Sequence, residues 1–534
     1  MQNFLKHFSL RVTRQDAPIP GAGQVANSAG GYAWELDVWG RLDRFLILGT
    51  DGGTYYVSER QLTRENAQAV LEALQADGLR VVRRVVEISE AGRAPKNDPA
   101  LFALAMATAL GTPEVKRSAL EALPRVARIG THLFHFLAYV EGFRGWGRGL
   151  RRAVGSWYNG KQPDELAYQL VKYQSRDGWS HRDALRLAHP VPLTPEHGVL
   201  YKWATRKNVA EAPSIESPGI PLLEAVQAVR AAREVADVTK LVTSYRLPRE
   251  ALPTEWLTEA KVWEALLADM PMEAMVRNLA TMTRVGLLGP RSSASRLVVE
   301  RLRDAQRIRK ARLHPFKLFA ALITYQQGRG MRGSGQWEPV TEVVDALNDA
   351  FYLAFGNVEP SGKRLVIALD VSGSMGGGQV AGVPGLSPRV AAAAMALVTA
   401  ATEKETTLVA FSDKMVPLTI SPRQRLDDVV KATSDLPFGR TDCALPMLWA
   451  LEKKVDADAF MVLTDSETWF GQIHPTQALQ RYRERRGIPA KLMVVGMVAN
   501  TYTIADPRDA GMLDVVGFDT ATPQLLADFA AGRL

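Results

Sequence analysis

Cysteine and long apolar runs are both scarce in this sequence. Cys443 is the only cysteine among 534 residues, so no intramolecular disulfide forms, and we expect a reducing, cytoplasmic environment. The best candidate for a membrane segment, residues 390–402, is Ala-rich and shorter than the ~20 residues that a bilayer-spanning helix requires. Residues 1–16 lack the apolar core of a secretory signal. We therefore expect a soluble protein with no membrane partner.

The excess of positive charge is small and unevenly divided. The chain has 65 basic and 57 acidic residues, a net charge of +8, and 46% of its residues are apolar. Residues 361–534 contain 18 basic and 19 acidic residues (−1), so residues 1–360 contain 47 and 38 (+9). A linker with Pro and Gly, residues 357–362, lies between the two parts. We predict two domains, residues 1–360 and 361–534, and a polyanionic partner for the first.

The first part has the pattern of consecutive helices. Apolar residues recur at helical spacing from residue 63 to about residue 355, with short Gly, Pro or Asn breaks between the segments. Before them we predict a β-hairpin over residues 44–57, with residues 45–48 and 55–57 as its strands. The succession of helices predicts an all-α solenoid of the HEAT type. No crisp internal period is present, so an irregular helical domain is the alternative.

The second part alternates apolar strands with helices. Strands are predicted near residues 364–369, 407–411, 460–464 and 491–498, and helices near residues 389–402, 476–486 and 523–531. This alternation is typical of an α/β fold with a doubly wound, mainly parallel sheet. Ligand sites in such sheets form beyond the carboxyl ends of the strands.

Oxygen-bearing side chains follow two of these predicted strands. The motif Asp370-Val-Ser372-Gly-Ser374 begins where the first strand ends, Asp465 follows the third strand, and Thr441 lies on a loop between them. Carboxylates and hydroxyls are ligands that Mg²⁺ favours, with Mn²⁺ or Ca²⁺ as alternatives. The pattern matches the metal-ion-dependent adhesion site of von Willebrand factor A domains, where the metal usually accepts a partner's carboxylate. The alternative is that these side chains only cap helices.

Two basic clusters lie in the helical part. One is an Arg-rich run in residues 296–312, which is also compatible with an ordinary solvated helix whose charges are paired. The other places Arg148, Arg151 and Arg152 around glycines that precede a helix, which makes a candidate phosphate seat. Both clusters are candidate contacts for a polyanion.

A third basic segment, residues 172–189, is the most suggestive. Ser180 is a predicted helix N-cap, so Asp177-Gly-Trp179 lies in a loop between two helices. Cations and aromatic residues around such a loop suit phosphates and unstacked bases, although we expect Trp179 and Tyr173 to be core residues. The candidate RNA-binding cations of this segment are Lys172, Arg176, His181, Arg182, Arg186 and His189.

Nearly the whole sequence resembles the Ro autoantigen family of RNA-binding proteins, whose N-terminal part is the TROVE module. The segments that carry the resemblance are NSAGGYAW at 27–34, RLDRF at 41–45, GGTYY at 52–56, GRGLRR at 147–152, WYN at 157–159, residues 172–189, VWEAL at 262–266, HPF at 314–316 and EPSGKR at 359–364. The resemblance implies a ring of HEAT-like repeats whose two ends are joined by a von Willebrand factor A domain.

The resemblance also implies a function. Small non-coding Y RNAs would bind the basic outer surface, with Lys172, Arg176 and His189 at the positions of the family's contact residues. Single-stranded ends of misfolded or immature RNA would enter a central hole. Bacterial members are similar to adaptors that work with 3′→5′ exoribonucleases, including polynucleotide phosphorylase, in RNA maturation, quality control and stress response. One departure is Asp177, an acidic residue where a phosphate would approach.

We favour a non-enzymatic RNA-binding protein on these grounds. The alternative is a metal-dependent protein-interaction scaffold, built on the von Willebrand factor A domain, whose Arg-rich surface contacts acidic proteins. A ribonuclease is disfavoured because Asp370 and Asp465 have no obvious general base beside them. Copurifying nucleic acid would distinguish the first two functions.

Overall fold

Helices account for most of the chain between residues 38 and 353 in this computed structural model. The structure describes residues 12–48, 68–94, 96–205, 220–311, 313, 315–329, 335–354, 359–377, 387–416, 418, 421, 424–434, 439–498, 500–516 and 522–533. The helices of the first part are α1 (Val38–Leu48), α2 (Gln68–Ala91), α3 (Asp98–Leu110), α4 (Pro113–Val126), α5 (Gly130–Phe143), α6 (Arg148–Asn159), α7 (Pro163–Lys172), α8 (His181–Ala188), α9 (Pro195–Ala204), α10 (Pro221–Ala231), α11 (Val235–Tyr245), α12 (Ala260–Asp269), α13 (Met272–Arg284), α14 (Ser293–Leu302), α15 (Ala305–Lys310), α16 (Pro315–Gln326) and α17 (Thr341–Leu353). Within the described residues, no helix is both long and apolar enough to cross a bilayer.

Each helix of the first part packs on helices close to it in sequence. Helix α2 contacts α3 and α4, α6 contacts α4 and α8, α7 contacts α9 and α10, and α16 contacts α13 and α17. In α6 the buried residues Leu150, Ala153, Val154 and Trp157 recur at the i, i+3, i+4, i+7 spacing of one helix face, while Arg151 lies on the exposed face. The predicted stack of helices is confirmed.

The predicted β-hairpin is wrong in its first strand. Residues 45–48 belong to helix α1, where Leu42, Phe45 and Leu46 are fully buried and α1 packs on α2. A short apolar run is compatible with a strand or a buried helix, and here the i, i+3, i+4 spacing of these three side chains decides in favour of the helix. The predicted turn and second strand, residues 51–57, lie outside the described residues.

A six-stranded sheet forms the centre of the second part. Its strands are β5 (Arg364–Asp370), β6 (Glu405–Phe411), β7 (Met415–Val416), β8 (Ala459–Thr464), β9 (Lys491–Gly496) and β11 (Met512–Val516), and they are ordered β11-β9-β8-β5-β6-β7. All neighbours are parallel except β7, which pairs antiparallel with β6 at one edge. The sheet is therefore mixed, with four of its five pairings parallel, as the sequence pattern predicted.

Helices cover both faces of this sheet. They are α18 (Pro388–Thr402), α19 (Leu426–Ser434), α20 (Leu445–Glu452), α21 (Pro475–Arg486) and α22 (Thr522–Ala531). Alternate residues of β5 enter different cores, since Ile367 packs with the Ala-rich helix α18 and Ala368 packs with α20 and α21. This two-sided burial is the doubly wound arrangement, and it explains why β5 is apolar along nearly its whole length.

The first described residues pack on the second part of the chain. Strands β1 (Gln24–Ala26) and β2 (Tyr32–Glu35) form an antiparallel sheet with β10 (Tyr502–Thr503). We call residues 12–36 the N-terminal arm. The predicted boundary at residue 360 stays a prediction, but the arm hydrogen-bonds to residues beyond it.

Both ends of the helical part contact the second part. Arg44 of α1 is buried and forms an ion pair with Asp514 of β11, with Nη1 2.8 Å from Oδ2. At the other end, Asp345 of α17 accepts a hydrogen bond of 2.6 Å from Arg425. The sheet domain therefore holds the first and the last helix of the stack.

Candidate metal centre and basic surface

Two aspartates lie at the carboxyl ends of adjacent parallel strands. Asp370 is the last residue of β5, and Asp465 directly follows β8, which pairs with β5. The Asp370 carboxylate is fully buried and accepts hydrogen bonds from Ser372 N to Oδ1 at 2.8 Å and from Thr464 Oγ1 to Oδ2 at 2.6 Å. Parallel pairing thus brings both carboxylates to one edge of the sheet, where ligand sites form in this fold.

Serine hydroxyls lie beside these carboxylates. Ser372 Oγ and Ser374 Oγ are 3.2 Å apart, and the Ser374 side chain lies close enough to the Asp465 carboxylate to lower its pKa. Ser372 is buried, whereas Ser374 is half-buried at the start of a short 3₁₀ turn, Ser374–Gly376. The structure therefore brings four of the five predicted metal ligands together, with Asp370, Ser372 and Ser374 in one hydrogen-bonded group and Asp465 beside it.

Thr441, the fifth predicted ligand, is buried on a neighbouring loop. Its carbonyl oxygen accepts hydrogen bonds from the backbone N–H groups of Trp469 at 3.1 Å and Phe470 at 3.2 Å. These bonds tie the Thr441 loop to the loop that begins with Asp465. The five predicted ligands therefore occupy three adjoining loops, as the motif requires.

The electrostatics of this edge suit a cation. Burial, together with the neighbouring Asp370 carboxylate, raises the pKa of Asp465 to about 7, and burial also raises the pKa of Asp370. Two buried carboxylates at one site destabilise each other when both are ionised, and a bound cation removes that penalty. No group of three or more His, Cys, Asp or Glu side chains suited to a metal occurs among the described residues. The donors at this edge are two carboxylates with hydroxyls, a set that fits a hard cation.

The N-terminal arm holds the loops around this site, and the sequence patterns did not predict it. Gln15 Nε2 donates to Asp442 Oδ1 at 2.7 Å, and Gln15 Oε1 accepts a hydrogen bond from Thr468 Oγ1. Asn27 Nδ2 donates to the Thr468 carbonyl oxygen at 2.7 Å, and Glu467 Oε2 accepts from the backbone of Ala29 at 3.0 Å. The polar turn at residues 27–31 was the available signal, but it does not identify a partner more than 400 residues away.

The predicted inter-helix loop, residues 177–179, is part of a small β-hairpin. Strands β3 (Ser175–Arg176) and β4 (Trp179–Ser180) are joined by Asp177 and Gly178, both with positive φ, 51° and 79°. Positive φ at both central residues is the geometry of a tight hairpin turn, and Asp-Gly is a preferred pair for it. The hairpin connects α7 to α8 and carries Arg176, which is exposed.

Lys172 ends helix α7 beside two tyrosines. Its Nζ donates to Tyr168 Oη at 3.1 Å and lies 5.1 Å and 5.4 Å from the ring centroids of Tyr168 and Tyr173. Burial lowers the pKa of Lys172, but the hydrogen bond to Tyr168 and the nearby Tyr173 and Glu250 raise it more, so the pKa lies above its ordinary value. Lys172 is therefore a half-buried, permanently charged ammonium at neutral pH.

Asp177 contacts both helix α5 and Arg176, one of the expected phosphate contacts. Its carboxylate hydrogen-bonds to His135 Nδ1 of helix α5, and its Oδ1 lies 3.7 Å from Arg176 Nε. Asp177, the acidic residue that is unexpected at a phosphate site, thus anchors the hairpin to α5. Trp179 is buried against Trp146, which confirms it as a core residue, and Tyr173 is half-buried.

The prediction for His181 is contradicted by its burial. Its side chain is only 3% exposed, and Nδ1 hydrogen-bonds to Tyr158 Oη at 2.7 Å beside the Phe134 ring. Burial lowers the pKa of His181 to about 3, so the ring is neutral at pH 7. His181 is the first helical residue after the Ser180 N-cap, and its side chain points into the core. It therefore cannot contact RNA on the surface.

The other predicted cations of this segment are accessible. Arg186 and His189 are exposed, and Arg182 is half-buried. Helix α8 begins with a capping box, in which Ser180 accepts from Asp183 N and Asp183 accepts from Ser180 N, and it ends at His189 with φ 45°. Arg148, Arg151 and Arg152 are exposed on the first turns of α6, which packs against α8. Apart from His181, the predicted contacts therefore lie at the surface of adjacent helices.

The Arg-rich run of residues 296–312 has mixed roles. Arg301 is buried and donates from Nη1 and Nη2 to the Leu267 and Ala268 carbonyl oxygens at 2.6 Å each, so it caps α12. Arg303 and Arg307 pair with acidic residues on the surface. Arg301, Arg303 and Arg307 therefore have their charges buried or paired within the fold, in line with the alternative of an ordinary helix with paired charges. Arg312 lies outside the described residues.

Comparisons with known proteins agree with this architecture. A family model described as the TROVE domain matches residues 25–324, and one described as the Ro60 vWA domain matches residues 364–530. The chain thus belongs to the class of proteins that join a TROVE domain to a von Willebrand factor A domain.

Individual relatives define the family within that class. The chain is 43% identical to the RNA-binding protein RO60 of Deinococcus radiodurans over 96% of both chains, and 37% identical to the RNA-binding protein RO60 of Caenorhabditis elegans over 98% of this chain and 92% of the relative. The crystal structure of the Deinococcus radiodurans RO (RSR) protein matches 93% of this chain and all of its own with a TM-score of 0.71. This chain is a member of the Ro60 family, which confirms the resemblance seen in the sequence.

Proposed function

We propose that this chain is a non-enzymatic RNA-binding protein that binds small non-coding Y RNA on its basic outer surface. The observation that carries the proposal is the grouping of Lys172, Arg176 and His189 around the β3–β4 hairpin and helix α8. The eight-residue helix α8 separates the hairpin from His189 by about 12 Å, so the cations at its two ends suit phosphates of one strand that are not adjacent. Arg182 and Arg186 on α8, with Arg148, Arg151 and Arg152 on α6, extend this surface.

We further propose that single-stranded ends of misfolded or immature RNA enter a central hole of the helical stack. The support is that the sheet domain contacts both α1 and α17, which is the arrangement needed to close the stack into a ring. In this proposal the chain is a cytoplasmic adaptor for a 3′→5′ exoribonuclease, such as polynucleotide phosphorylase, in RNA maturation, quality control and stress response. Adding the chain to purified polynucleotide phosphorylase should then speed degradation of a structured RNA with a single-stranded 3′ tail.

The RNA-binding proposal is tested on the purified protein. Nucleic acid should copurify at moderate salt, and its sequencing identifies the RNA. We expect Lys172→Ala with Arg176→Ala to weaken binding about tenfold or more and to flatten the dependence of log affinity on log salt, because two phosphate contacts are lost. The matched control is Arg481→Ala with Arg485→Ala, which removes the same charge from α21 of the sheet domain. Equal affinity of the first double variant and the wild type would reject the outer-surface assignment.

The second candidate function is a metal-dependent protein-interaction scaffold. It is favoured by the strand-end site, where Asp370, Ser372, Ser374, Thr441 and Asp465 would hold Mg²⁺, or else Mn²⁺ or Ca²⁺. The cation would supply a positive centre that accepts a carboxylate from a partner protein.

Metal binding and the scaffold function are tested separately. Mg²⁺ should raise the midpoint of thermal unfolding of the wild type, and Asp370→Asn should abolish that rise, because the ligand set loses one of its two negative charges. An equal rise in both proteins would argue against the site. Mg²⁺-dependent capture of a protein, without copurifying nucleic acid, would favour the scaffold over the RNA-binding function.

A further inference from the structure

A second group of cations faces Lys172 across a small groove. The groove has a volume of about 50 Å³ and lies between α7 and the segments that follow α11 and α12. Its lining includes three cations, two carboxylates and two neutral polar groups: Lys172, Arg246, Arg249, Glu250, Asp269, Tyr168 and Asn278. Neither arginine stood out in the sequence, because each lies in a short loop and not in a basic run.

The two arginines are held differently. Arg246 caps α11 in the left-handed conformation, with φ 50°, and its side chain is 79% exposed. Arg249 begins a 3₁₀ turn, Arg249–Ala251, and its Nη1 donates to Asn278 Oδ1 at 3.4 Å. The guanidinium of Arg246 thus extends into solvent, while that of Arg249 is oriented by its hydrogen bond to Asn278.

Each arginine forms a loose, solvent-exposed ion pair with one acidic neighbour. Arg246 Nε lies 3.7 Å from Asp269 Oδ2, and Arg249 Nη2 lies 3.6 Å from Glu250 Oε1. Both separations exceed the 2.7–2.9 Å of a charge-assisted hydrogen bond. Exposed ion pairs of this kind are worth little, so a phosphate oxygen can replace either carboxylate at small cost.

The positions of the arginines relative to Lys172 are fixed by the packing beneath them. Helix α7 packs on the 3₁₀ turn that Arg249 begins. Gln174 Nε2, just after α7, donates to the Val171 carbonyl oxygen at 3.1 Å and to the Glu250 carbonyl oxygen at 3.3 Å. Leu247 and Ala251 are buried on either side of the groove segment. Lys172 and the 3₁₀ turn of Arg249 therefore belong to one packed surface made from two neighbouring helical units, and Arg246 lies at its exposed edge.

We propose that the RNA surface continues from Lys172 across this groove to Arg246 and Arg249, which bind the phosphodiester backbone. This inference rests on the proposed RNA-binding function and adds a site to it. Guanidinium groups bind phosphate oxygens through paired N–H donors, and the Tyr168 hydroxyl beside Lys172 suits a ribose hydroxyl. RNA is favoured over an acidic protein because the groove is continuous with Lys172 and the Arg176 hairpin.

The closing experiment compares variants in binding a fluorescein-labelled stem-loop RNA with a single-stranded 3′ tail, between about 50 and 200 mM KCl. Arg246→Ala, at an exposed position, should lower affinity about three- to tenfold and reduce the salt slope by about 1. Asp269→Asn should raise affinity a few-fold at low salt, because it removes the carboxylate that competes with phosphate for Arg246. A gain in affinity cannot result from misfolding.

The outcomes distinguish failure of this inference from failure of the RNA-binding function on which it rests. If the wild type binds and Lys172→Ala with Arg176→Ala weakens binding, but Arg246→Ala and Asp269→Asn leave it unchanged, the groove is not part of the surface and the inference is overturned. If the wild type does not bind RNA at all, the proposed function fails. Arg481→Ala with Arg485→Ala is the charge-matched control and should leave affinity unchanged.

Discussion

At the scale of single residues, burial decides which titratable groups can contact a ligand at the surface. His181 and His189 lie eight residues apart at the two ends of helix α8, and both were candidate contacts. His181 points into a core with Tyr158 and is neutral, while His189 ends the helix in solvent. The same residue type thus has a structural role at one end of α8 and a candidate binding role at the other.

The buried His181 should make the protein sensitive to acid. Burial lowers its pKa to about 3, below the ordinary value of 6.5, so the unfolded state takes up a proton first as the pH falls. The free energy of unfolding should therefore decrease from about pH 6.5 down to about pH 3, by about 2 kcal/mol at pH 5 from this group. Urea unfolding at pH 7 and pH 5 measures the loss. His181→Asn should reduce it, whereas His189→Gln, at an exposed position, should leave it as in the wild type.

At the scale of elements, the β3–β4 hairpin shows how a local turn carries a binding residue. Asp177 and Gly178 set the turn, the Asp177 carboxylate attaches it to His135 of α5, and the Ser180 capping box starts α8 directly after it. Arg176 is therefore presented by an element that is fixed at both ends.

Replacement of Asp177 separates positioning from electrostatics. Removing a negative charge beside a phosphate site would by itself raise RNA affinity. We expect Asp177→Ala to lower it instead, by about three- to tenfold, because the hairpin loses its hydrogen bond to His135 and Arg176 is no longer held in place. Asp177→Asn keeps an oxygen acceptor for His135, so its RNA affinity should lie between that of the alanine variant and that of the wild type. Fluorescence anisotropy with labelled RNA measures all three, and tighter binding by Asp177→Ala would contradict the positioning role.

At the scale of the whole molecule, the sheet domain is held to the helical part through buried charges. Arg44 of α1 is 3% exposed and its two Nη atoms lie 2.8 Å and 3.2 Å from the Asp514 carboxylate of β11. These residues are 470 positions apart, so the pair joins the beginning of the chain to its last strand.

Breaking this ion pair should be costly. Asp514→Ala leaves the Arg44 guanidinium buried without its charge partner, and we expect a loss of about 3 kcal/mol in the free energy of unfolding. Arg44→Met combined with Asp514→Leu removes both charges and should recover much of that loss, because no unpaired charge remains. The midpoints of urea unfolding provide the comparison. A double variant as unstable as Asp514→Ala would mean that packing, and not the unpaired charge, causes the loss.

Sequence patterns predicted the elements whose signals are local. The apolar strand before Asp370 and the hydroxyl motif after it lie within a few residues, so both the strand end and the candidate ligands could be recognised. Residues 45–48 were misassigned because a four-residue apolar run does not distinguish a strand from a buried helix. His181 was misassigned because its burial depends on Tyr158 and Phe134, which come from other helices.

By itself, the sequence determined the helical first part, the α/β second part, the family and the five candidate metal ligands, because helical spacing, strand–helix alternation and motifs are encoded in neighbouring residues. Only the tertiary structure decided that the N-terminal arm holds the loops around Asp465, that Asp177 contacts His135 of α5, and that Arg246 and Arg249 face Lys172. These facts depend on contacts between residues far apart in the chain. The small net positive charge of the sequence as a whole is thus compatible with a concentrated basic surface, because folding groups cations from separate helices and buries or pairs others.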